Sequence, residues 1–155
     1  MTAQSIIHTG NVLRQIVIGH IKGVGEAQLD VQPAGFNNTI RWNVGHIVYW
    51  MDQYASLSFG FSSAIPAYYE SLFNSGTKPS EWTIAPPTKE ELVQHLSAQL
   101  SRFGELTAEM LEKRLESPFE MGPFQFATAG QLFNFALMHE AIHLGVISSQ
   151  IKLIP

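Results

Sequence analysis

The chain of 155 residues contains no cysteine. Disulfide frameworks, thiolate zinc sites and cysteine nucleophiles are excluded together, so any metal site must be built from His, Asp or Glu. Charge is scarce as well. Asp, Glu, Lys and Arg make up 14% of the chain, against ~25% in an average soluble protein. The formal balance is -4, with no basic patch, which argues against a nucleic-acid partner. No apolar run reaches the ~18 residues of a bilayer span, so no membrane partner is expected. The opening MTAQSIIHTG lacks the basic start and continuous apolar stretch of a signal peptide, and the expected location is cytoplasmic. This length fits one domain, residues 1–155, which buries ~68–70% of its unfolded surface without a staple.

What is present is apolar residues at helical spacing. From about Gln4 to Asp30, Ile6, Ile7, Ile16, Val17, Ile21 and Val24 predict one long helix, loosened near its end by Gly19, Gly23 and Gly25. Asn38 or Thr39 can cap a second helix carrying Ile40, Trp42, Ile47, Trp50, Tyr54 and Leu57. Phe59 to Pro87 is rich in Gly, Ser, Pro and aromatics, too long for a bare loop, and predicts a crossover with a helical turn near Pro66–Phe73. Thr88-Lys-Glu-Glu91 is a capping box opening a third helix through Leu92, Leu96, Leu100, Phe103, Leu106 and Met110, ended by Ser117-Pro118. Gly122-Pro123 marks a short hairpin or extended turn. A second box, Thr128-Ala-Gly-Gln131, opens a fourth helix reaching about Lys152. The predicted fold is all-α: a four-helix bundle with a long crossover between helices 2 and 3. The fourth helix is apolar nearly all round, and no Lys or Arg falls between Arg114 and Lys152. Such a helix is expected to be buried on every face, in part against a second copy of the chain, as a homodimer.

Two histidines interrupt that apolar helix. His139 and His143 are four apart, so their Cβ atoms stand ~5–6 Å from each other on one face. Two imidazoles so placed can converge on one ion at ~2.0–2.1 Å. The bland alternative is a pair of core histidines bonded to carbonyls, but two at ligand spacing in so greasy a stretch favour a metal. His139-Glu-Ala-Ile-His143 also matches H-E-x-x-H, in which the Glu activates water for peptide hydrolysis. A protease is disfavoured because Gly145 falls two residues after the second His, not three, and no later His supplies a third ligand. The third ligand must then come from another helix. His46 leads, since Trp42, His46, Trp50 and Gln53 share one largely aromatic face. His8, His20 and His95 fit surface, boundary or core roles.

Arg41-Trp-Asn-Val-Gly-His46 together with His139-Glu-Ala-Ile-His143-Leu-Gly145 resembles the DinB-like superfamily of metal-binding four-helix bundles, which includes the YfiT-like proteins and thiol-dependent S-transferases. The resemblance implies a facial triad of His46, His139 and His143, with zinc or nickel as the divalent ion. Many relatives look like dimers. One departure stands out: relatives often flank the Gly after the second His with Arg and Gln, whereas this chain has Leu144 and Val146.

Three neutral His ligands leave the ion its full charge and an open position, which in zinc sites lowers the pKa of bound water or thiol to ~7. The expected activity is that of a metal-dependent enzyme acting on a small molecule, either a thiol S-transferase using a low-molecular-weight thiol or a hydrolase. The alternative is a non-enzymatic stress-response protein with a structural or vestigial site. Trp42, Tyr49, Trp50, Tyr54, Tyr68, Tyr69, Phe73 and Trp82 are candidate pocket walls. Glu140 and Asp52 are candidates for acid–base help, and Asn43, Asn134 and Gln53 for orienting the ligands.

Overall fold

The computed structural model describes residues 2–155 and is mostly helical, with one small two-stranded sheet. Thr2 opens α1, Ala3–Lys22, by accepting a hydrogen bond from the Ser5 N–H. The helix stops at Gly23, well short of Asp30. Gly23 and Gly25 favour a chain break there, and a separate 3-10 turn at Ala27–Asp30 returns Leu29 to the core. The apolar periodicity therefore runs on past the true helix end.

Thr39 caps α2, Ile40–Phe59, and Gly60 closes it with a left-handed φ of 71°. Every residue from Ile40 to Tyr49 is buried. The connection that follows holds α3, Tyr69–Phe73, where a helical turn is expected. Thr88 and Glu91 form both halves of the predicted capping box on α4, Lys89–Phe103. The third helix does not continue to Ser117. Gly104 ends it, Thr107 caps a new short helix, α5 (Ala108–Glu112), and Arg114–Met121 is strand β1. Ser117-Pro118 thus lies within a strand. β1 pairs antiparallel with β2, Phe124–Thr128, with Phe119 opposite Phe126 and Gly122 at φ 55° in the turn. The second predicted capping box, Thr128 with Gln131, opens α6, Ala129–Ile151.

α2 packs on α6 and α4, and α1 packs on α4 and α6. One core cluster gathers Val17, Ile21, Ile40, Ile47, Phe73 and Ile147, and another Met51, Tyr54, Phe103, Leu132 and Phe133. Gly45 serves this packing directly, because a Cβ there would overlap the Phe73 ring. Within the single chain α6 is not covered on every face: Met138 is 53% and Ile142 59% exposed. Among the described residues, no helix is long and apolar enough to cross a membrane.

Candidate metal centre

α2 and α6 face each other, and the face of α2 that carries Trp42, His46 and Trp50 meets the face of α6 that carries His139 and His143. The three histidines come together so that one nitrogen of each lies within 4.8 Å of the others. His46 Nε2 stands 3.2 Å from His139 Nε2. Two nitrogens on one ion at ~2.0–2.1 Å stand roughly 2.8–3.4 Å apart for angles of about 90–110°, so this spacing fits a shared cation.

The outer nitrogens of two of the rings are committed elsewhere. His46 Nδ1 donates to the Phe73 carbonyl at 2.7 Å, and His143 Nδ1 donates to Asn43 Oδ1 at 2.8 Å. The acceptors assign the tautomer. Asn43 Nδ2 donates to the Thr39 carbonyl and to Gln150 Oε1, which turns its oxygen toward His143. With the proton on Nδ1, the Nε2 lone pair of each ring is free for a ligand. Burial pushes His46 down to about 4 and, with the neighbouring imidazoles, His143 down to about 3; burial also lowers His139. All three are therefore neutral near pH 7, the form that binds metal. The group contains three His and, among the described residues, no carboxylate joins it. These three residues could hold a metal ion.

Aromatic rings surround the triad. Trp42 stacks on His46 at 4.4 Å, Trp50 lies 6.3 Å from His46, and Tyr54 meets His139 edge-on at 6.0 Å. Beyond Tyr54 stand Phe135 and Phe119, with Phe126 against both. The hairpin thus forms part of the aromatic wall, a role that the order of its residues did not suggest. The connecting segment contributes differently from expectation. Phe73 acts through its carbonyl, Tyr68 is exposed, and Tyr69 packs edge-on against His95, which is half-buried. His8 is exposed, and His20 bonds its own helix at the Ile16 carbonyl.

Glu140 has no part in the triad. It is turned to α1, where its carboxylate receives Arg14 Nε at 2.9 Å and Nη2 at 2.7 Å, with side-chain exposures of 2% and 0%. Arg14 Nη1 donates to Gln99 Oε1 at 2.6 Å, and Gln99 Nε2 to the Val48 carbonyl at 2.9 Å. Phe103 lies under the guanidinium at 5.3 Å. A glutamate so engaged is unavailable as the water-activating base of H-E-x-x-H. Asp52 is also occupied in part, accepting from the Ala64 N–H. Of the three candidate orienting residues, Asn43 takes the role; Asn134 is exposed and Gln53 half-buried.

A sequence profile of the DinB superfamily matches residues 11–147. No curated protein matches the chain. Among solved structures, a conserved protein from Enterococcus faecalis superposes with a TM-score of 0.68 at 15% identity, covering 99% of this chain and 98% of that one. At that identity the likeness concerns the fold. With the profile spanning most of its length, the chain belongs to the DinB superfamily.

Proposed function

We propose that this DinB-superfamily chain is a metal-dependent enzyme acting on a small molecule, with His46, His139 and His143 as ligands of one divalent ion, zinc or nickel. The observation that carries the reading is three neutral imidazoles converging, with no further His, Cys, Asp or Glu joining them among the described residues. A structural site would be expected to close its coordination shell with protein, whereas catalytic sites keep a position free. When bound, the ion supplies Lewis acidity and lowers the pKa of a thiol or water beside it.

The chain's own residues do the rest. Phe73 and Asn43 hold two ligand rings in orientation and tautomer. Trp42, Trp50, Tyr54, Phe135 and Phe119 exclude bulk water and select an apolar group next to the open positions. The Trp50 indole N–H is buried without a partner and its ring lies 6.3 Å from that of His46, so we read it as a donor available to a ligand bound at the centre. Among the described residues no further His, Cys, Asp or Glu joins the triad, which favours a nucleophile that the metal alone activates. Of the two chemistries, transfer from a low-molecular-weight thiol to an apolar electrophile fits that lack better than hydrolysis.

We read the four long helices as a four-helix bundle with the crossover between α2 and α4, forming one domain over residues 1–155. Exposed Met138 and Ile142 on α6 support a homodimer. The proposed setting is cytoplasmic. The test loads the purified chain with zinc or nickel, then compares thiol transfer to electrophiles with ester and amide hydrolysis. Metal-dependent thiol consumption, lost on chelation, is the expected result. A metal-loaded chain inert toward every thiol and electrophile pair would overturn the transferase reading.

A further inference from the structure

The Arg14–Glu140 ion pair is buried on both partners, and the proposed function does not use it. Its position is informative. Glu140 follows His139 on α6, and the chain of hydrogen bonds that begins at Glu140 passes through Arg14 on α1 and Gln99 on α4. It ends on the carbonyl of Val48, two residues from His46 on α2. The two helices that carry the triad are thus tied to each other a second time, through the two helices that do not.

Stability alone is a poor reason for such a chain. Two ions taken out of water lose hydration that their mutual attraction rarely repays in full, and well-packed apolar residues of similar volume often do as well or better. What a buried bidentate pair does supply is geometry. A guanidinium fork donates to a carboxylate in one plane and one register, while apolar contacts allow a helix to roll or slide. On α6, about 100° separates Glu140 from His139 around the axis, so fixing Glu140 on α1 fixes the direction in which His139 and His143 point.

We infer that Arg14, Gln99 and Glu140 are positioning residues for the metal centre: they set the rotation and register of α6 against α2 so that the three Nε2 lone pairs meet. This rests on the metal-centre reading, and the experiment separates the two. Zinc affinity is measured by competition with a chelating dye for the wild-type chain and for Arg14→Met/Gln99→Leu/Glu140→Met. Thermal unfolding and the histidine tautomers of both are followed without metal, the latter by long-range proton–nitrogen NMR. The expected result is a variant that melts at or above the wild-type temperature yet binds zinc roughly 10–100-fold more weakly, the range seen when outer partners of a metal site are lost. Its His143, whose Nδ1 partner Asn43 lies across the contact between α6 and α2, should also lose its uniform Nδ1–H pattern, while His46 keeps its bond to Phe73. A folded variant with wild-type affinity and wild-type tautomers overturns the inference. Should the triple variant fail to fold, Glu140→Gln decides, because it keeps shape and one hydrogen bond to Arg14. A loss of affinity severalfold or more supports positioning, and an unchanged affinity overturns it. Failure of the wild-type chain itself to bind zinc or nickel defeats the metal-centre reading, and the tautomer comparison then judges the positioning role alone.

Discussion

Two of the polar clusters inside this apolar molecule are built on opposite accounting. Around Arg14, every guanidinium nitrogen has a partner: two meet Glu140 and the third Gln99, and Gln99 passes the chain on to Val48. Between α2 and α6, the outer nitrogens of His46 and His143 are matched while the inner ones face each other and His139 across a gap. A saturated cluster needs nothing from outside. One with converging lone pairs left over could hold a cation. The difference teaches which buried polar group is scaffold and which is site.

The sharpest way to break that contrast is to remove the leftover lone pairs. Changing His139 and His143 together to Ala should abolish uptake of the roughly one divalent ion per chain expected for a three-histidine site, measured by elemental analysis after dialysis, while the helical circular dichroism persists. Full metal occupancy in that double variant would move the site elsewhere.

The next largest effect lies in the saturated cluster. Glu140→Ala leaves the Arg14 charge buried without its counter-ion and should cost ~3–5 kcal/mol of stability, read by urea unfolding. A loss under about 1 kcal/mol, the size of an exposed pair, would mean the network is not desolvated as described.

The open cluster should respond to acid. In the chelator-treated chain, burial holds His46 at about 4 and His143 at about 3, below the ~6.5 of an unfolded histidine. The unfolded chain then takes up protons first. Stability is complete above about 6.5 and drains away as pH falls toward the folded values, by an amount on the order of a few kcal/mol. A His46→Leu/His139→Leu/His143→Leu variant should flatten that slope, and an unchanged slope would assign it to other groups.

Smallest is the support beneath His46. Gly45→Ala pushes the Phe73 ring from its seat on α2 and should cost ~1–3 kcal/mol as overpacking, with weaker zinc binding in the same variant. Loss of stability with undiminished zinc affinity would separate the packing of Phe73 from the orientation of the ligand ring.

How much of this is legible in the residues follows from range. Capping boxes at Thr88 and Thr128 are written within four residues, and both form. The spacing of His139 and His143 is equally local, and the hairpin turn at Gly122 announces itself. His46 can be placed because the aromatic face of α2 marks an inward side. Arg14 cannot, since nothing near it in the chain hints at Glu140, 126 positions away. Glu140 is hidden further by its place in a familiar motif, where it suggests a catalytic base. The ends of the first and third helices escape for one reason: apolar periodicity survives a glycine break when the next turn still packs, as Leu29 and Leu106 do.

The Phe73 carbonyl that receives His46 has one more consequence. It belongs to the connection between α2 and α4, a stretch otherwise built of turns and short helices. Opening that stretch removes the hydrogen bond that orients His46, so if His46 is a ligand, as proposed, occupancy of the centre and closure of the connection draw on the same free energy. At a metal concentration about 100 times the dissociation constant, that linkage is worth ~2.7 kcal/mol. Proteolytic nicking between Gly60 and Pro87 should therefore slow when zinc is added, which makes this stretch of backbone a gauge of whether the histidines are filled.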